Sequence, residues 1–357
     1  MNQAGTTLVE WVIALALNAF IAAAVLLTLQ VSREAMDLSQ QWVELADRGR
    51  FARAAIEQDL RQASAQLPCA VSPAHAIREV NVLNSAPGWL RLNAPVWGIE
   101  APSTAPASRW RLKHPPVTMD GLSKRLPSDL EQHIDAQSDV LWVYRLHPQP
   151  SATVVPVSNT DFRLTRSADQ RPCGIWWVSD CNQTMIFQDT EARSRLLSAR
   201  GLSCAPGNQA QPPPMADLAW PMTEHMAVYL WEATAWFVGH NQEDQRVLYR
   251  ARLGQGGDRV RVDEMVRGVL SLQVEYGQSN AGAHPKWTSA ASVDNWSNVD
   301  LVRFGLVVTA PSQTARPGLD HSFVVSVLSS NITVPSAVGL ARGFDGAAQV
   351  THPGLNR

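Results

Sequence analysis

The chain has 357 residues, 45% of them apolar and 17% charged, enough to build at least one sizeable core. Its formal net charge of −2 argues against nucleic acid or an anionic lipid surface as a partner held by bulk charge. No GxSxG, HExxH or paired-acid motif stands out, and His75, His225 and His240 are isolated, so the reading is not an enzyme. No cofactor is implied. No CxxC or HxxxH occurs, so no metal site is expected either.

The chain opens "MNQAGTTLVEWVIALALNAFIAAAVLLTLQ". From Trp11 to Ser32 there is no ionisable side chain, and as a helix this run spans about 30 Å, one bilayer core. A signal peptide would need a basic start, which "MNQAG" lacks, although "AAA" at 22–24 could serve as a cleavage site. A plain membrane anchor fits the length but leaves Glu10 unexplained. A carboxylate at the edge of hydrocarbon is costly and implies a partner.

Beyond the apolar run, Ala35, Leu38, Trp42, Leu45, Gly49, Ala52, Ile56 and Ala63 recur three and four apart, with Arg33, Asp37, Glu44, Arg53, Glu57 and Arg61 elsewhere around the helix. One continuous helix from Thr6 to about Ser64 is predicted, ending before Pro68. Its second half, 33–66, lays a stripe on a folded head, with Leu38, Trp42, Leu45 and Ile56 as the packing residues.

From residue 67 onward the chain reads as short strands with punctuated loops. Strands are predicted at 140–146, 174–180, 184–189, 226–233, 235–239, 246–253, 269–277, 299–308 and 322–328, rich in β-branched and aromatic residues. They predict a mostly antiparallel β head over 67–331, and α+β as the fold class. "GQGG" at 254–257 is a hairpin tip; it lacks the Lys of a phosphate loop. The Pro-rich pieces at 101–108 and 206–221 are expected to be exposed connections. Residues 332–357 carry little pattern and are expected to form a flexible tail.

Cys69, Cys173, Cys181 and Cys204 all lie beyond the apolar run. An even count on an exported side favours disulfides, with three connectivities that sequence leaves open. Thirteen Trp residues are many. A pair such as Trp176 and Trp177 reads either as a binding surface or, on an alternating strand, as one core side chain and one packed under a loop.

"GTTLVE", with its acid fifth after a Gly, resembles the type IV prepilin signal. The resemblance implies that residues 1–5 are a leader, that a prepilin peptidase cuts between Gly5 and Thr6, and that the new amino terminus on Thr6 is methylated. It supplies the missing partner for Glu10, the freed α-amine of a neighbouring subunit. It also implies a spine helix with its transmembrane half at 6–32 and a pilin-like head on the amphipathic half. Further blocks narrow the likeness. "DRGRFARAAIEQDLRQAS" (47–64), "SDVLWVYRL" (138–146), "WVSDCNQTMIFQ" (177–188), "RVLYRARL" (246–253), "VRGVLSLQVEYG" (266–277), "DNWSNVDLVRFGLVV" (294–308) and "HSFVVSVLSSN" (321–331) come in the order seen in PilW-type minor pilins, which this chain is similar to.

That likeness implies a non-catalytic subunit that primes type IV pilus assembly and sits at or near the filament tip. Its implied partners are other minor pilins, the major pilin and a tip adhesin. Its implied location is the inner membrane, with the head in the periplasm, and then the extracellular pilus. A type II secretion pseudopilin shares leader, acid and spine, and a membrane-anchored periplasmic binding protein is the other alternative.

Overall fold

The computed structural model describes residues 8–63, 78–84, 90, 92, 94–101, 134, 138–157, 161–164, 173–180, 183–189, 196–201, 204, 206–210, 226–253, 260–278, 285–309 and 323–329. An unbroken run of helix formers, free of proline, produces one 54-residue helix, α1 (Leu8–Arg61). Its polar half carries i,i+4 pairs, Glu44 with Arg48 and Glu57 with both Arg53 and Arg61. It closes by tightened i→i+3 bonds: Gln62 N–H donates to Asp59 O at 3.0 Å and Ala63 N–H to Leu60 O at 3.1 Å.

The chain divides into two compact units, Met1–Arg48 and Gly49–Arg357. The first, as described, is helix alone, and the large apolar side chains from Trp11 to Val31 are exposed. The second contains the end of α1 and the strands β1 (Arg78–Asn81), β2 (Val96–Ile99), β3 (Val140–Pro156), β4 (Asp161–Leu164), β5 (Ile175–Ser179), β6 (Gln183–Gln188), β7 (Leu196–Ser198), β8 (Met226–His240), β9 (Arg246–Leu253), β10 (Arg261–Arg267), β11 (Val269–Gln278), β12 (Lys286–Thr288), β13 (Leu301–Val308) and β14 (Phe323–Ser329). The long strands β3 and β8 pair antiparallel and form the axis of a ten-stranded sheet. A four-stranded sheet follows in the order β12-β11-β13-β14. The molecule is α+β, one long apolar N-terminal helix and a mostly β body.

Alternation along β8 divides the core. Tyr229, Trp231, Ala233, Ala235 and Phe237 join Trp142, Tyr144 and Trp177 in one cluster, where Tyr144 stacks on Trp231 at 5.4 Å. Met226, Val228 and Leu230 join Trp176, Phe162 and Phe187 in a second. Opposite faces of one sheet are therefore both covered, and the strands read as continuous apolar runs.

Several expectations need correction. Residues 226–233 and 235–239 are one strand, because Thr234 keeps its place in the ladder opposite Val143 and Arg252. The strand expected at 140–146 runs on to Pro156, with an irregularity between Pro148 and Thr153 that accommodates its prolines. The head is mostly antiparallel as expected, with β1 running parallel to β6. Trp176 and Trp177 are 0% and 4% exposed, so neither forms a binding surface nor packs merely under a loop; each lies in a different core cluster.

The 206–221 segment is not exposed throughout. Asn208 is fully buried: its side chain accepts from Gln188 N–H at 2.8 Å and donates to Gln188 O at 2.7 Å, which takes an otherwise loop-like residue into the interior. Ala101, at the head of the other Pro-rich piece, is buried as well, its N–H bonded to Asp139. β9 and β10 pair antiparallel with Arg252 opposite Arg261, while "GQGG" between them lies outside the described residues, as does the 332–357 tail.

Cys173 and Cys204 form a disulfide across 31 positions, with Cα atoms 5.6 Å apart. Gln188 Nε2 donates to Cys173 O at 2.8 Å, and Gln188 Oε1 accepts from Gly207 N–H at 2.7 Å, so the bridge sits over the buried Asn208–Gln188 pair. Cys69 and Cys181 lie outside the described residues. Peptide mapping of unreduced protein is expected to recover a Cys173–Cys204 cross-link. Opening that loop by a double Ser replacement should cost about 3–4 kcal/mol in urea unfolding, from restored chain entropy in the unfolded state.

Candidate assembly site

Two acids on α1 break its apolar pattern, one at each end. Glu10 lies in the first turn and is solvent-exposed. A carboxylate there is favoured by the partial positive charge of the helix N-terminus. Behind it, the helix carries an 18-residue window of mean hydropathy 2.5, none of it buried, long and apolar enough to cross a membrane. Gly5 and Thr6, the expected cleavage position, lie outside the described residues.

The stripe residues divide by burial. Leu45 is 3% and Ile56 0% exposed, whereas Trp42 is 38% exposed. Leu38 is helical, and its side chain lies outside the description. Ala52, Leu60 and Ala63 are buried alongside Ile56.

The second acid, Asp59, was not among the expected site residues. It is 4% exposed. Trp236 Nε1 on β8 donates to its Oδ2 at 2.9 Å, and Arg250 Nη2 on β9 donates to its Oδ1 at 2.5 Å. Trp236 and Arg250 are direct cross-strand partners, and the guanidinium also lies 5.6 Å from the indole centroid. One turn on, Gln62 accepts from Arg145 on β3, whose Nε donates to Glu232 on β8 at 2.6 Å. Glu232 is itself buried.

These two sets of bonds tie the end of α1 to three adjacent strands. The signal was present in the sequence, an acid on the apolar stripe at 52, 56, 60 and 63. Its partners, 177 and 191 residues away, were not.

Burial raises the Asp59 pKa from its ordinary value despite the opposing pull of Arg250, the Trp236 bond, Arg145 and Arg252. Burial likewise lowers Arg250, with Asp59 opposing. At each partner burial sets the direction of the shift, with the other's charge opposing it. Because the folded carboxyl binds its proton more tightly than the unfolded one, its contribution falls as pH rises from about 4 through the raised pKa. Urea unfolding across that range should show wild type losing stability relative to Asp59→Asn as pH rises, and parallel curves would refute this.

Among the described residues, no cluster of three or more His, Cys, Asp or Glu side chains could hold a metal ion. No curated protein and no solved structure matches the chain. One family model does, over residues 235–344, a stretch that takes in the end of β8 from Ala235 and all of β9 to β14. That family is PilW, described as Type IV Pilus-assembly protein W, and the similarity over those residues supports a PilW-type assignment and involvement in type IV pilus assembly.

Proposed function

We propose that the protein is a minor pilin that primes assembly of the type IV pilus and is incorporated at or near its tip. The observation that carries this reading is the PilW match on a chain whose N-terminal helix is apolar and headed by a single acid. In this reading α1 is a pilin spine, inserted in the inner membrane with the β body in the periplasm until the subunit enters the extracellular filament. A prepilin peptidase removes residues 1–5, and Thr6 becomes the methylated amino terminus. Glu10 pairs with the α-amine of a neighbouring minor or major pilin, so two charges that lipid disfavours neutralise each other as subunits dock. Leu38, Trp42, Leu45 and Ile56 serve the packing of spine and head. The role is one of assembly, without catalysis, cofactor or nucleic acid, and a tip adhesin is a further partner.

Mass spectrometry of the protein isolated from its native membrane tests the reading directly. The N-terminal peptide should begin at N-methylated Thr6. Retention of Met1, or a start near Ala24, would overturn it.

A further inference from the structure

Cross-strand pairing lines up three side-chain donors on one face of the ten-stranded sheet. Arg252 on β9 lies directly opposite Thr234 on β8 and, on its other side, directly opposite Arg261 on β10. Directly opposed side chains share a face, and two positions along β8 and β9 that same face presents Trp236 and Arg250 to Asp59. The row runs from the interior to solvent: Thr234 is 6% exposed, Arg252 is partly buried and Arg261 is exposed.

Charge around this row does not balance. Four guanidinium groups, on Arg145, Arg250, Arg252 and Arg261, stand beside three carboxylates, and each carboxylate is already engaged: Asp59 by Trp236 and Arg250, Glu232 by Arg145, Asp263 by Arg261. Among the described residues, neither the Arg252 guanidinium nor the Thr234 hydroxyl makes a hydrogen bond or ion pair, and the shielded Nε–H groups of Arg250 and Arg252 both lack an acceptor. Like charges directly opposite on neighbouring strands repel, and a donor shielded from water without an acceptor is costly. A bound oxyanion removes both penalties. Donors supplied from three adjacent strands, each about 5 Å from the next, suit oxygens that point in several directions better than the two coplanar oxygens of a carboxylate. We infer that Thr234, Arg252 and Arg261 form a binding site for a terminal phosphate, either free inorganic phosphate or a monoester. The site lies wholly within the unit Gly49–Arg357 and does not depend on any role in a filament.

Isothermal titration calorimetry on the full chain in detergent, with ionic strength held constant by chloride, tests this. Inorganic phosphate should bind saturably, and Arg252→Gln should weaken that binding at least about tenfold. Arg261→Gln, at an exposed position where folding is not at stake, should weaken it by a smaller factor, as should Thr234→Val, which keeps the shape of the side chain but removes its hydroxyl. Dimethyl phosphate, which carries a single charge and only two free oxygens, should bind far more weakly than inorganic phosphate. Methyl phosphate binding as tightly as inorganic phosphate would assign the site to a phosphate carried on a larger molecule, and discrimination against it would assign the site to the free ion. Absence of saturable binding, or equal affinity in wild type, Arg252→Gln and Arg261→Gln, which marks an adventitious ion only, would overturn the inference.

Discussion

Replacing Glu10 by Ala is expected to leave the protein in the membrane and to abolish its incorporation into pili. Removing a carboxylate from the edge of an apolar helix can only ease insertion, since an acid near hydrocarbon is disfavoured by up to about 2.5–3.5 kcal/mol at mid-bilayer. A loss of assembly in that variant therefore reports the loss of a partner rather than of the anchor. If Glu10 meets a neighbour's α-amine in a low-dielectric setting, deleting it leaves that amine uncompensated, at a cost of about 3 kcal/mol. That corresponds to roughly 100-fold weaker docking. Immunoblots of membrane and sheared-pilus fractions separate the two quantities. Normal membrane levels with depleted pili support the pairing, and wild-type pilus levels refute it. Glu10→Asp, which keeps the charge on a shorter arm, should recover part of the incorporation.

The largest expected effect on folding is at Asp139. This residue is 5% exposed at the start of β3, where the two sheets meet. Its Oδ1 accepts from Ala101 N–H at 2.9 Å and its Oδ2 from Val274 N–H, on β11, at 2.8 Å. Its own N–H donates to Leu272 O at 2.9 Å, and the adjacent Ser138 hydroxyl accepts from Leu272 N–H at 3.0 Å. Three of these bonds join the start of β3 to β11, and the fourth holds Ala101, after β2.

Asp139→Ala removes the two carboxylate acceptors and leaves two buried amides without them. At about 1.5–3 kcal/mol for each charge-assisted bond, the expected loss is about 3–5 kcal/mol, read as a lower urea midpoint. Asp139→Asn retains one acceptor oxygen and should lose about half as much. A loss below about 1 kcal/mol in the Ala variant would show that water or neighbouring groups replace the carboxylate.

Legibility from sequence followed the range of the interaction. The helix was readable over nearly its whole length because a 3.6-residue period is a local property, and its observed bounds, Leu8–Arg61, differ from expectation only at the ends. Most central strands were readable for the same reason, β9 to the residue. The short strands β1, β2, β4 and β7 were not, for three or four residues carry too little pattern to stand out from loop. Asn208 was read as exposed because its neighbours are Pro, Gly and Gln, and nothing local announces the strand backbone that buries it.

By itself, the amino-acid order determined the apolar helix, the single acid at its head and the β-rich body, since each depends on residues a few positions apart. Tertiary structure alone decided that Cys173 joins Cys204, that Trp176 and Trp177 enter separate cores, and that Asp59 meets Trp236 and Arg250. Those outcomes depend on which strands become neighbours, and strand order is set by the collective burial of both faces of the sheet. No short stretch of chain contains that information.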